Sequence, residues 1–212
     1  SNAILSVSAD IEAQEVFELA ETWFGDIEDK PYAIPAIAPE PAQTAARRKE
    51  GERDVPATTI TIAFQMGERL SRDFFLGDMT SDLLAGGDSA RLHERLIKRK
   101  RLFASTNAYI SGDLDRGMFV LTGQLLPSTS EADAEAAIWE EIADLKAGNI
   151  SEYEIEKVKN KFEANTLFGE LNVMNKAMNM GYYEMIGDLP LINREVEIYR
   201  SLSAADVADF SS

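Results

Sequence analysis

Cysteine is absent from the 212 residues and histidine occurs once, at His93. The first absence excludes a disulfide frame and thiolate chemistry. It also leaves the redox compartment unread, so a bacterial periplasmic and a cytoplasmic home both stay open. The scarcity of histidine bears on metals. A zinc site draws three or four ligands from His, Cys, Asp and Glu, and one histidine without cysteine leaves only a carboxylate-dominated set. Such a set suits magnesium or calcium better, and no D-x-D-x-D-G loop supports either ion. Long apolar runs are lacking, and none approaches a membrane span. Basic charge is scarce as well: 21 Lys and Arg stand against 37 Asp and Glu, for a net charge of -16. A surface of that sign is unsuited to neutralising phosphates, which argues against a nucleic-acid partner. What remains is a chain with 45% hydrophobic residues, enough for a packed core.

Ser1-Asn2-Ala3 reads as the scar of a cleaved expression tag, so the natural chain is expected to extend further upstream. Residues 4–212 read as a single domain. Ile4 to Ser8 alternates like a short strand and leads through Asp10, a good N-cap, into a helix over 11–24 with Val16, Leu19, Ala20 and Trp23 as its buried stripe. A strap at about 28–46 holds four of the seven prolines (Pro31, Pro35, Pro39 and Pro41) and should be extended, without helix or strand. Thr58 to Phe64 is a strand with Ile60, Ile62 and Phe64 on one face, and it could pair with the first. A helix over 71–84 breaks at Gly86-Gly87, and the next helix, capped by Asp88 or Ser89, carries His93. Strands over 104–111 and 118–126 form a hairpin through a turn-rich connection. Helices follow to the end: one opens at Ser130 and buries Ile138, Ile142 and Leu145, and another starts with the capping box Ser151/Glu154. The expected fold is α+β, a mostly antiparallel sheet of four to five strands with helices packed on one face.

Candidate chemistry is thin. His93-Glu94 begins like H-E-x-x-H, but the second ligand slot is Ile97, and H-x-x-E-H fails because one histidine cannot fill two positions. His93 therefore reads as a polar helix residue ahead of a general base or ligand. Arg91, Arg95, Lys98, Arg99, Lys100 and Arg101 form a basic cluster that could take an anion; the plainer reading is cations favouring the negative end of a helix dipole. Gly86-Gly87 could cradle a phosphate but lacks the P-loop lysine, so it reads as a turn. Met174, Met178 and Met180 with Tyr182-Tyr183 stand at the spacing of a core face. No G-x-S-x-G supports a serine nucleophile.

The string Leu83 to Leu92, LLAGGDSARL, resembles LLGGGxSSRL of the pitrilysin/insulinase family of zinc metallopeptidases, of the mitochondrial processing peptidase type. ILSVSADIEAQEVFELAETWFGDI is similar to that family's VVVGDFDPEEVLALVEKYFGDI, and the strap falls where the family has one. LKAGNISEYEIEKVKNKF resembles L...GITEEELEKAKN, and LSAADV resembles VTAEDV. The match is to the second, C-terminal type of domain in a half, which follows the domain bearing H-x-x-E-H. The resemblance implies a non-catalytic domain, with no catalytic, metal or cofactor-binding residue here and zinc in the upstream domain of the parent. Its implied partners are that zinc-bearing domain, the other half of the peptidase and an unfolded peptide substrate; the alternative it implies is a structural or assembly subunit of the same fold. The family's substrate-anchoring segment LREKRGLAY falls, without gaps, on residues 96–104. Ile97 then takes the arginine slot and Ala104 the tyrosine slot, so both anchors are expected to be lost.

Overall fold

Alternation in β1 (Thr59–Gln65) and apolar runs bounded by turn residues in β2 (Phe103–Ser111) and β3 (Met118–Leu125) give three strands. They form an antiparallel sheet in the order β1-β3-β2. The structure is a computed structural model that describes residues 3–28, 33, 36, 38, 40–112 and 114–212. The register aligns Ile60, Gly123 and Thr106; Ile62, Leu121 and Ala108; and Phe64, Phe119 and Ile110 in rows on one face. On the opposite face the rows are Thr59-Gln124-Ser105, Thr61-Thr122-Asn107, Ala63-Val120-Tyr109 and Gln65-Met118-Ser111. The first face is apolar and the second carries no charged side chain.

The helices are α1 (Ala13–Phe24), α2 (Arg72–Ala85), a π-helix His93–Arg99, α3 (Glu131–Lys146), α4 (Glu152–Gly169), α5 (Val173–Met185), a 3₁₀ segment Leu189–Asn193, α6 (Glu195–Ser201) and α7 (Ala204–Phe210). The chain divides into two compact units, whose boundaries fall inside α4 and α6. The larger joins Glu40–Phe162 to Glu197–Ser212. Its core lies between the apolar sheet face and helices on that side: Leu84 from α2, Leu92, Leu96 from the π-helix, and Ala134, Ala137, Ile138, Ile142 and Leu145 from α3. Local chemistry starts these helices. Ser71 Oγ accepts from Phe74 N, Ser130 Oγ accepts from Asp133 N at 3.1 Å, and Ser151 and Glu154 make the reciprocal capping box. Within the sheet, Phe103 lies across Gly123, where a Cβ would come within 2.5 Å of its ring.

The smaller unit holds the residues before 40 and Glu163–Val196. Tyr183, Ile186 and Leu191 are buried there, and Tyr183 donates to Glu195. Three expectations are corrected in this unit. Ile4 to Ser8 forms no strand; strand geometry needs a neighbour to complete its backbone hydrogen bonds, and here the Ser6 hydroxyl donates to the Ala177 carbonyl instead, at 2.6 Å. The described sheet therefore has three strands where four to five were expected, and β1 pairs only with β3 among the described residues. The N-cap of α1 is Glu12 and not Asp10, and the helix buries none of its residues; Trp23 is 75% exposed. An amphipathic helix places its apolar stripe, and only a packed neighbour buries it. On α5, Met174 and Met178 are exposed while Tyr183 is buried, so only part of the expected core face is one.

Of the strap, Pro31, Pro35 and Pro39 lie outside the described residues, as do Ser1, Asn2 and Asp113. Residues 40–46 have neither helix nor strand. They run beside the end of β1, where Gln43 N donates to Gln65 Oε1 at 2.9 Å.

Candidate functional site

The segment from Arg91 to Ser105 gathers most of the residues singled out in the sequence, and its backbone is irregular at three places. His93–Arg99 is a π-helix, a rare form that often marks functional segments. Arg101 sits at φ 54, in the left-handed region that non-glycine residues seldom adopt. At Ala104 the register shifts, so that Phe103 faces Leu125 while Ser105 already faces Gln124. That is a β-bulge, which re-aims side chains and ends regular pairing.

The basic cluster is held by carboxylates of α3 and α4. The Arg91 side chain is 3% exposed; its Nε donates to Glu154 Oε1 at 2.6 Å and its Nη2 to Glu154 Oε2 at 3.0 Å and to the Asn149 carbonyl at 2.5 Å. Arg95 Nη1 donates to Asp144 Oδ2 at 2.6 Å and to Glu141 Oε2 at 2.9 Å. Lys98 pairs with Glu94 at 2.6 Å, and Lys100 pairs with Glu140. Planar guanidinium against carboxylate gives fixed geometry, so the first two arginines tie the π-helix to the helices beside it. Arg99 and Arg101 are exposed. The sequence reading missed Glu141 and Asp144 as partners. Their signal was present, since they stand three apart on α3 beside the buried Ile142 and Leu145.

The carboxylates of this network titrate apart. Burial pushes Glu141 above the usual carboxylate range, against the pull of Arg95 and Arg91. Burial opposes ionisation of Glu154 too, but hydrogen bonds from Arg91 and Ser151 outweigh it and hold that carboxyl at about 2. The Arg95 hydrogen bond likewise lowers Asp144. A carboxyl whose pKa falls on folding stabilises the fold fully above its unfolded value and loses that contribution as pH falls through the folded one. For Glu154 the window runs from 4.5 down to about 2. Its contribution is about 2 kcal/mol after discounting for partial exposure. Glu141 works in the opposite sense, since acidification relieves the cost of burying its charge. Urea midpoints measured from pH 5 to 2 should therefore fall steeply in the native chain and more gently in Glu154→Gln.

Ile97 is half-buried and packs against the core, and Ala104 is exposed at the bulge. His93 is half-buried on the π-helix. Gly86 follows the end of α2 and Gly87 has φ 126, which makes this a turn that glycine alone adopts readily. Among the described residues no group of three or more His, Cys, Asp or Glu could hold a metal ion. Zinc therefore does not fit the residues described here. An apolar cavity of about 300 Å³ is lined by Phe64, Phe119, Leu121, Trp139, Ile142 and Phe210, with Lys146 beside them. It offers a docking space and no acid or base pair.

The sequence matches the family described as the peptidase M16 inactive domain over residues 1–162. It is similar to the zinc protease PqqE of Helicobacter pylori, 27% identical over 162 residues that take in 74% of this chain and 36% of that protein. Among solved structures, a protease from Helicobacter pylori superposes with a TM-score of 0.88 at 23% identity, over 96% of this chain and 50% of that one. A peptidase M16 inactive domain from Pseudomonas fluorescens superposes with a TM-score of 0.62 at 16% identity, over 72% of this chain and 36% of that one. At these identities the superpositions speak to the fold. The chain spans between about a third and a half of the length of these relatives. With the family matched over well more than half of its residues, the chain belongs to the inactive-domain type of the pitrilysin/insulinase-like peptidases, peptidase M16.

Proposed function

We propose that residues 4–212 act as the non-catalytic, C-terminal-type domain of a zinc-dependent endopeptidase, walling its substrate chamber and supporting both the zinc-bearing domain and the partner half. The observation that carries this reading is the pair of anchor positions. Ile97 is packed against the core and Ala104 sits in a bulge, and neither side chain can donate a hydrogen bond to a scissile carbonyl or steady an oxyanion. The smaller unit adds support: Phe17, Trp23, Phe168 and Leu171 are between 68% and 79% exposed, the kind of apolar surface that another domain covers. Zinc would be held by that other domain, where it would activate water for attack on the peptide bond.

The chain alone should bind well under one zinc per molecule and leave an unstructured peptide intact. Added to the separately expressed zinc-bearing part of the parent, it should raise the rate of cleavage. Stoichiometric zinc with robust cleavage by the chain alone would sink the reading. No effect on an otherwise active zinc-bearing part would favour an assembly subunit instead.

A further inference from the structure

The cavity of about 300 Å³ in the larger unit has an inner and an outer lining. Inside, Leu84, Leu121 and Leu145 belong to the core, each no more than 2% exposed. On the solvent side, Phe64 of β1 and Trp139 of α3 meet edge to face with ring centroids 6.0 Å apart, yet they are 37% and 42% exposed. Side chains around such a space have no atoms opposite them. An apolar body that enters it therefore gains dispersion contacts as it leaves water.

Size and charge say what kind of body fits. A cavity of about 150 Å³ holds a six-carbon ring, so about 300 Å³ has room for roughly ten to twelve carbons. Among the described residues that line it, Lys146 carries the one charged side chain, while Gln65, Thr80 and Ser211 add neutral polar groups. Lys146 stands exposed in the last turn of α3 and has no ion-pair partner among the described residues. Glu135, the carboxylate that Trp139 Nε1 reaches at 3.4 Å, is already held by Arg48 at 2.6 Å. A cation that stays unpaired in a chain of net charge -16 has an anion as its complement.

We infer that this cavity binds an apolar monocarboxylate of about ten carbons, its body among Leu84, Leu121, Leu145 and Trp139 and its carboxylate at the Lys146 ammonium. The inference goes beyond the chamber-wall reading and stands or falls without it. An uncharged chain of the same length fills the space but leaves Lys146 to water. A cationic one meets repulsion there.

The test uses the 212-residue chain with Trp23→Phe, which leaves Trp139 as its one tryptophan, and follows its fluorescence with decanoate, octanoate, decanol and decyltrimethylammonium. Calorimetric titration with the same four ligands keeps the result independent of the reporter. Decanoate should bind saturably at one site. Octanoate, two methylenes shorter, should bind about tenfold more weakly. Decanol should bind about threefold to fivefold more weakly than decanoate, the size of an exposed ion pair, and the cation more weakly than decanol. Lys146→Gln should erase the preference for decanoate over decanol, and Lys146→Glu should reverse it; Lys146 is exposed, so matching thermal melts are expected of both. Equal binding of decanoate and decanol by the unsubstituted chain, or a preference that survives Lys146→Gln, overturns the inference, because either result places the ligand elsewhere on the apolar surface. So does the absence of saturable binding in both measurements. A dimer of the chain in sedimentation that decanoate disperses would also overturn it, by making the cavity a contact between copies.

Discussion

Arg91→Ala is expected to lower the stability of the larger unit by about 3–5 kcal/mol, because it strips the partner from carboxylates that are already drawn out of water. The guanidinium makes three of its hydrogen bonds at 2.5 to 3.0 Å, two to Glu154 and one to the Asn149 carbonyl. Removing it leaves Glu154 Oε1 and the Asn149 carbonyl without this donor, while Glu154 Oε2 keeps Ser151, and raises the depressed carboxyl of Glu154 towards its ordinary range. The same substitution at exposed Arg99 should change stability by less than about 0.5 kcal/mol. Urea unfolding of the two variants side by side measures the difference. Equal midpoints would show that the network contributes nothing beyond surface charge. Arg91→Met should recover part of the loss by filling the same volume, though it leaves Glu154 without its arginine.

Phe103→Ala carries a comparable cost, about 3–5 kcal/mol, since Phe103 is one of the largest fully buried side chains. Its ring covers Gly123 on the central strand, and that contact couples the two positions. Gly123→Ala alone places a methyl within 2.5 Å of the ring and should cost about 1–3 kcal/mol through overpacking. In the Phe103→Ala background the same methyl has room, and it replaces part of the lost apolar contact. The double variant should therefore be more stable than the sum of the single changes predicts. Additive losses in a thermal-denaturation cycle would mean that the ring and the glycine act independently.

Much of the larger unit was legible because local signals and tertiary packing agree there. Ser71, Ser130 and the Ser151/Glu154 box announce three helices, and the alternation of Ile60, Ile62 and Phe64 announces the apolar face of β1. Ile138, Ile142 and Leu145 are buried as the helical period of α3 requires. In the smaller unit the same kind of signal misled. The stripe of α1 has the right period but none of it is buried, and among the described residues the alternation of Ile4 to Ser8 has no strand beside it. Periodicity specifies which side chains share a face, while burial depends on what the rest of the chain supplies. The candidate site was half legible. The cations from Arg91 to Arg101 stand out in an acidic chain, but the carboxylate partners of Arg91, Arg95 and Lys100 lie between 40 and 63 residues away, beyond any local pattern. The π-helix has no composition of its own; within it Leu96 is fully buried and Arg95 is paired to Asp144.

The π-helix and the bulge at Ala104 also give this stretch of chain slack. A π-turn winds more residues into each turn than an α-turn, and a bulge sets two residues against one. Deleting a single residue at either place would convert an irregular element into a regular one without moving its ends. Leu96, Phe103 and the paired arginines are the fixed points, and the residues between them can change in number. A change in chain length between Arg91 and Ser105 can thus be absorbed while the core stays the same. Where such a length change falls on the near side of Ala104, it turns a different side chain towards the bulge.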